Sequence, residues 1–425
     1  MKINNYRWWL VGLVLMATTI NYIDRQIIGL LKPVLEVEFS WSESDYSRIV
    51  TAFSAAYAIG LLTMGRLVDF LGTKRGYAIS VVIWSLAGML HAVARNLTQF
   101  ITVRVILGVG EAGNFPAAMK VISEWFPKKE KALATGIVNS GASIGVVFAL
   151  LITPLILNFY TWKEVFWITG GLGFVWLALW WIFYEIPARQ KRITGQELEL
   201  IRQGQEQFES QTGKPLPWKK LLSFPQTWAV VAGKFFIDPI YWFFLFWLPS
   251  YFATTFGLDL KKPSLPLMII YLATTVGSIG GGYFSSYLVK RGWTTLRARK
   301  AALLSVALLE LMVIGMQFVN DVWVAVAVLS IAVALHQAWS TNVFTMTADL
   351  FPKESVSSVA GLAGMAGATG GILFPILVGY LLDSYKLAGN LAGGYNLLFS
   401  LCGITYLLTW LVIHGLTLRF KNNAV

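Results

Sequence analysis

The chain has little cysteine, histidine or charge, and each shortage closes off a class of protein. One cysteine, Cys402, in 425 residues excludes an intramolecular disulfide framework and any metal site built on several thiolates. The three histidines, His91, His336 and His414, lie far apart, and no catalytic metal or other cofactor is implied. Only 13% of the residues are charged while 56% are hydrophobic, a balance that ordinary soluble domains do not have. The period-two alternation of a membrane barrel is missing too. Runs such as Val81 to Ala94, VVIWSLAGMLHAVA, are instead apolar on every face, so of the two structures able to cross a bilayer only the helix is left. A nucleophile with its base, or a cluster of metal ligands, is also absent, so nothing points to an enzyme. The 34 Lys and Arg outnumber the 22 Asp and Glu, but they are scattered among polar breaks rather than gathered on one domain, which argues against nucleic acid as a partner.

What is present is a succession of apolar runs, each close to the ~20 residues that span hydrocarbon. They predict an all-α integral membrane protein with twelve transmembrane helices near 8–31, 47–71, 77–95, 98–121, 133–157, 164–184, 223–252, 264–289, 300–319, 322–347, 357–384 and 393–417. The first run is too long for a secretory leader and carries Asn21, Asp24 and Arg25, so it is expected to remain as a helix. Basic residues concentrate on the side that holds both termini, which the positive-inside rule places in the cytoplasm. The long polar stretch Glu185 to Leu222 predicts a linker and three regions: a six-helix bundle over 1–184, a cytoplasmic linker over 185–222 and a second six-helix bundle over 223–425. EWFPKKEKALATGIVNSGASIG from Glu124 aligns with DLFPKESVSSVAGLAGMAGATG from Asp349 at a constant offset, pairing Phe126 with Phe351, Gly136 with Gly361 and Gly145 with Gly370. Two pseudo-symmetric six-helix bundles of this kind are a transporter architecture, with the substrate site between the halves and alternating access by rocking.

A charge at a helix centre costs at least ~2.5–3.5 kcal/mol and marks function. Asp24 and Arg25 are adjacent on the first helix; Arg104 and Glu111, seven apart on the fourth, project from one face. The acids are candidates for carrying protons, and an arginine fork suits a carboxylate substrate; the alternative is a set of static ion pairs. In the second half the helix-ten stretch HQAWSTN offers His336, Gln337, Ser340 and Asn342, groups suited to sugar hydroxyls. Lys234 and Asp238 sit at i and i+4, spaced to pair either structurally or as part of a gate. Tyr241 and Trp242, which follow, face either a sugar ring or lipid. Asn139 and Ser143 on helix five share one polar face, a candidate cavity wall. Glu310 reads as a packing contact and Lys120 as a residue able to snorkel.

GRLVDFLGTKR, from Gly65 to Arg75, resembles the helix-two to helix-three signature of the major facilitator superfamily, with Gly65, Asp69, Gly72, Lys74 and Arg75 in the expected places; a degenerate copy, GGYFSSYLVKRG, starts at Gly281. The turn suits a gating latch, with Asp69 near a helix N-terminus and basic partners. NYIDRQ, RVILGVGEAGNFPA and SEWFPKKEKALATG resemble the anion:cation symporter branch. KFFIDPIYWFFLFWLPSYF, HQAWSTN, ARNLT and YEIPARQKRIT look most like its hexuronate transporters. The resemblance implies a monomeric symporter of the cell inner membrane that imports glucuronate and galacturonate with protons. It further implies that Asp24 and Glu111 are the protonation sites, Arg25 binds the substrate carboxylate, Arg104 tunes the acids or stabilises the empty site, and Tyr57 contacts substrate.

Overall fold

In hydrocarbon the backbone can satisfy its polar groups only within the segment, so runs that are apolar all round become helices. The computed structural model describes residues 4–203, 214–257 and 265–418, and among these there is no β-strand. The first half holds α1 Tyr6–Phe39, α2 Glu43–Leu71, α3 Thr73–Leu90, α4 Leu97–Glu111, α5 Asn114–Trp125, α6 Lys131–Leu157 and α7 Trp162–Phe183. Two short linker helices follow, α8 Gly195–Gln203 and α9 Trp218–Ser223. The second half holds α10 Pro225–Phe235, α11 Asp238–Phe256, α12 Leu265–Lys290, α13 Thr295–Glu310, α14 Val322–Leu350, α15 Val356–Leu387 and α16 Leu391–Leu416. Among the described residues, eleven segments are long and apolar enough to cross a membrane. The twelfth is α1, 34 residues long, whose apolar run is diluted by Asn21, Asp24, Arg25 and Gln26 in its middle.

Two expected single helices are broken, and proline explains both. Pro116 cannot donate to the Ala112 carbonyl, so the fourth span divides into α4 and α5; Pro239 cannot donate to Phe235, so the seventh divides into α10 and α11. The ninth span begins earlier than expected, at Thr295, and tightens into a 3-10 helix over Leu311–Phe318.

Each half has its own core. One apolar cluster runs from Leu221 to Ile413; two others lie in the first half and draw in Phe344, Ala348, Val356 and Ala360 from the second. Indole N–H groups clip helices together: Trp176 donates to the Leu13 carbonyl (2.7 Å), Trp180 to Lys74 (3.0 Å), Trp339 to Gly233 (2.9 Å) and Trp410 to Lys300 (2.9 Å). Large apolar side chains such as Leu151, Leu155, Ile376 and Tyr380 face outward, as a lipid-facing surface requires.

The halves meet most closely at the end that carries the linker. Glycine makes this possible: a Cβ on Gly65 would collide with the Ser357 carbonyl, on Gly361 with that of Leu61, on Gly136 with that of Ser278 and on Gly282 with that of Ala132. The inter-half hydrogen bonds described below run from this end as far as Asn139 and Ser143, midway along α6.

Candidate functional site

The break after Glu111 shapes the centre of the first half. Carbonyls near a broken turn need new partners, and here the Asn21 amide donates to the Glu111 carbonyl (3.4 Å) and the Ser80 hydroxyl to that of Gly110 (2.6 Å). The Glu111 side chain, fully buried, is thereby aimed at α1. There Arg25 Nε donates to Glu111 Oε2 at 2.9 Å. The Arg25 guanidinium also lies over three rings, Tyr57 (4.3 Å), Tyr22 (4.7 Å) and Phe53 (5.3 Å), a cage that holds a cation without neutralising it. Its side chain keeps 19% exposure while that of Glu111 has none, so the cation is the accessible member of the pair.

Asp24 and Arg104 stand differently. Both are buried, yet neither Asp24 oxygen has a hydrogen-bond partner, and Nε and Nη2 of Arg104 have none either. The polar neighbour of Asp24 is the Thr169 hydroxyl, which already donates to the Val165 carbonyl (3.0 Å). Arg104 approaches the Phe53 ring at 5.5 Å. Adjacency in sequence does not pair Asp24 with Arg25, because successive helical residues point ~100° apart. Sharing a face does not bring Arg104 and Glu111 into an ion pair either.

In the second half Lys234 and Asp238 engage each other. Lys234 Nζ lies 2.8 Å from Asp238 Oδ1, donates to the Ser340 hydroxyl (3.0 Å) and sits 4.2 Å from the centre of the Phe344 ring. Phe344 in turn stacks on Phe115 of the first half (5.6 Å, 4°). His336 shares a 2.8 Å hydrogen bond between Nδ1 and the Tyr406 hydroxyl and stacks on Tyr241 (5.0 Å, 15°). Trp242 packs its indole against Gly371 of α15. Asn342 is tied up within the second half, donating to the carbonyls of Ala338 (2.9 Å) and Gly281 (3.2 Å).

Asn139 and Gln337, on opposite halves, meet: the Asn139 amide donates to Gln337 Oε1 at 2.9 Å. Ser143 meets Thr274 at 2.6 Å. Tyr22 lies within electrostatic reach of Tyr241 across the same gap. The fold thus groups Arg25, Glu111 and Tyr57 in the first half, joins Asn139 to Gln337 across the seam, and ties His336 to Tyr241 and Tyr406 and Asn342 to α12 within the second half.

At the linker end, Asp69 accepts from Ser358 N–H (2.6 Å), Ser358 hydroxyl (2.6 Å) and Ser357 N–H (3.3 Å), capping α15 from the other half. Lys120 does not snorkel as expected: it is buried 3.0 Å from Asp69 Oδ1 and also donates to the carbonyls of Val68 and Asp69. An inward cation was not legible because the partner comes from another helix. Gly72 takes φ +81°, which only glycine adopts freely. Lys74 pairs with Glu185 at 3.0 Å and Arg75 is exposed. A second lock went unnoticed in the sequence: Arg299 donates to Asp349 (2.9 Å), to the Ser285 hydroxyl (2.8 Å) and to the Lys128 carbonyl of the other half (3.3 Å), while Lys131 donates to the Ala348 carbonyl (2.6 Å). Its signal was the repeat itself, which sets Asp349 opposite Glu124.

Comparison with known proteins agrees with this architecture. The family model described as Major Facilitator Superfamily matches residues 14–375. The hexuronate transporter of Escherichia coli K12 is 32% identical over 97% of this chain and 94% of its own. The galacturonate transporter of Dickeya chrysanthemi is 34% identical over 66% of this chain and 82% of its own. Among solved structures, that of the proton:xylose symporter XylE superposes with a TM-score of 0.71 at 16% identity, covering 96% of this chain and 94% of that one. The chain belongs to the Major Facilitator Superfamily and is a multi-pass membrane transporter, not an enzyme.

Proposed function

We propose that the protein is a proton-coupled symporter that imports hexuronates, glucuronate and galacturonate, by alternating access. The observation that carries this reading is the caged Arg25–Glu111 pair beside an unpartnered Asp24. A pair with one accessible cation is a carboxylate site held shut by an internal carboxylate. Protonation of Glu111 removes that competitor; the sugar-acid carboxylate then takes its place on the Arg25 fork, and Tyr57 lies against the same guanidinium. Asp24 takes up a proton from the same side, and Arg104 supplies the positive field that favours its release. Asn139, Ser143, Gln337, Tyr241, Trp242 and His336 are the hydroxyl-binding candidates, with Asn342 holding α14 against α12. Lys234 and Asp238 form the charge pair of the second half.

In this reading 1–184 and 223–425 are the moving bundles, 185–222 is the cytoplasmic linker, and the protein works as a monomer in the cell inner membrane with both termini in the cytoplasm. The latch of Gly65, Asp69, Gly72, Lys74 and Arg75 then closes the cytoplasmic side, and the substrate-free state faces outward. Deprotonation toward the cytoplasm restores Arg25–Glu111 and expels the anion.

An aldonate is the second reading, since the D-galactonate transporter of Escherichia coli O6:H1 is 28% identical over 90% of each chain. A dicarboxylate aldarate fits less well, because Lys234, the counterpart cation, is already bound to Asp238 and Ser340. The test is uptake of labelled glucuronate, galacturonate and galactonate into proteoliposomes under an inward proton gradient. Concentrative uptake of a hexuronate supports the proposal; uptake of galactonate alone moves the substrate, and none of the three overturns it.

A further inference from the structure

Helices α3 and α7 run antiparallel, and their contact changes character along its length. Far from the linker end small residues let them close: Gly170 of α7 lies against Gly88 and Met89 of α3, and Gly173 against the Ser85 hydroxyl. Toward the linker end bulky buried rings replace the small residues, Tyr77 packing on Trp176 (5.0 Å) and Trp180 (5.1 Å). Alongside these rings lies a groove of about 630 Å³. Arg75, Ile79 and Ile83 line it from α3, one helical turn apart, and Phe174, Leu177 and Trp181 line it from α7. Every residue lining it is apolar except Arg75. From Arg75 to Ile83 the groove runs about 12 Å at ~1.5 Å per residue, close to the ~15 Å of hydrocarbon in one leaflet. Arg75 stands in the first turn of α3 and Trp181 in the last turn of α7, both exposed, so the charged end of the groove is at the membrane surface. Two more cations gather there. Lys74 Nζ lies 5.4 Å from the centre of the Trp181 ring, and Arg192 donates to the Ile182 carbonyl at 3.1 Å. Glu185, 3.0 Å from Lys74, answers one of these charges, and the balance at this end stays positive.

We propose that this groove is a binding site for one anionic phospholipid of the leaflet on the linker side, an acyl chain lying between α3 and α7 and the phosphate seated on Arg75. A trough that is apolar throughout is ordinary lipid-facing surface. One that has the depth of a leaflet and ends in a guanidinium matches a lipid at both of its ends. The planar fork takes two phosphate oxygens in parallel hydrogen bonds, and basic pockets between helices at a membrane surface select anionic headgroups. The positive balance left by Lys74 and Arg192 disfavours the ammonium of a zwitterionic headgroup. A lipid held here ties the first turn of α3 to the bilayer, and with it the α2–α3 turn that follows Asp69.

The site does not depend on which substrate is carried or on proton coupling, so its test reads lipid and not transport. The full chain is purified in detergent and titrated with phosphatidylglycerol or with phosphatidylethanolamine of the same acyl chains. Native mass spectrometry counts the bound copies for wild type, Arg75→Gln, Ala178→Phe and Arg291→Gln. Wild type should bind one phosphatidylglycerol more tightly than any phosphatidylethanolamine. Arg75→Gln should weaken that copy about fivefold or more, the scale of one basic residue at an anionic headgroup, and leave phosphatidylethanolamine unchanged. Ala178, which also lines the groove, is replaced by Phe to fill it while every charge is kept, and the tight copy should be lost. Arg291 is an exposed cation of the second half, and Arg291→Gln should match wild type. Wild type without a preference for phosphatidylglycerol, equal losses at Arg75 and Arg291, or a tight copy that survives Ala178→Phe each overturns the site and leaves these cations as topological anchors. If Ala178→Phe does not fold, Arg75→Gln against Arg291→Gln decides, since both change the surface alone.

Discussion

Gly136 in the first half lies against the Ser278 carbonyl of the second, and its repeat partner Gly361 lies against the Leu61 carbonyl of the first; Gly145 lies against Thr19, and its partner Gly370 against Phe235. The duplicated packing has survived in both copies. The charge has not. At the centre of the first half Asp24 and Arg104 are unpaired and Arg25 is accessible, whereas Lys234 in the second is tied to Asp238 and Ser340. At the linker end Asp69 caps α15 with a carboxylate, whereas the matching cap on α6 is a neutral hydroxyl, Ser286, accepting from Leu133 N–H at 3.2 Å. Packing is held in common, while charge is arranged differently. Under the proposed reading Arg25 offers the ligand site on the first half and Lys234 is tied up within the second, a division of work at the centre. At the linker end, by contrast, each half keeps a buried ion pair, Lys120–Asp69 and Arg299–Asp349.

The sharpest break in this comparison is at Arg25. Arg25→Ala is expected to lower hexuronate affinity at least about a hundredfold, the usual scale for losing a buried charge-assisted partner. Arg25→Lys should still cost about tenfold, because an ammonium lacks the planar fork. Binding of glucuronate to purified protein, measured by the protection it gives against thermal unfolding, checks both. If Lys234→Met lowers affinity as much as Arg25→Ala, the division of work is wrong.

The next largest effect concerns the latches. Asp69→Asn leaves Lys120 buried without its counter-charge, a change on the order of 3–5 kcal/mol, while Ser286→Ala removes one hydrogen bond worth about 1 kcal/mol. Spin labels placed at the exposed positions of Lys129 and Arg291, one on each half, report opening of the linker end. The carboxylate variant should shift the distance distribution toward the open form far more than the hydroxyl variant. Equal shifts would mean that the glycine contacts, not the caps, hold this end together. The bond between Asn139 and Gln337 is a smaller element of the same seam, and Asn139→Ala should widen the label distance slightly, by about the effect of Ser286→Ala.

The sequence shows the halves, the repeat and most of the central charges, because apolar runs and buried charge are properties of one segment at a time. Partner choice is not such a property. That Glu111 takes Arg25 rather than Arg104, that Lys120 turns inward to Asp69, and that Asn139 meets Gln337 all depend on which helices are neighbours. The breaks at Ala112 and Phe236 were within reach, since Pro116 and Pro239 sit where a continuous span needs a donor. Glu310 was read as a packing contact because nothing near it in sequence is polar, and the structure buries it at the end of α13.

The smallest difference between the halves is at the turn after the second helix of each. In the signature itself Lys74 binds Glu185 at 3.0 Å, both side chains partly exposed; in the degenerate copy the corresponding lysine, Lys290, is exposed. Partial burial opposes ionisation of Glu185, but the hydrogen bonds from Lys74 and the Ile186 N–H, together with the charges of Lys74 and Arg189, hold this carboxyl below its usual value. A carboxyl lowered by folding stabilises the folded state fully above its unfolded pKa, and the contribution fades as pH falls through the folded value. The pair should therefore add less than about 1 kcal/mol near neutral pH, given its exposure. Thermal unfolding of wild type and Glu185→Gln in detergent should differ by a degree or so at most (about the scale that such a pair supports) at pH 7, and by nothing measurable at pH 3. Lys290→Ala should match wild type at both values, and a larger effect at Lys290 would show that the degenerate copy has kept a contact which the comparison of the two halves assigns to the signature alone.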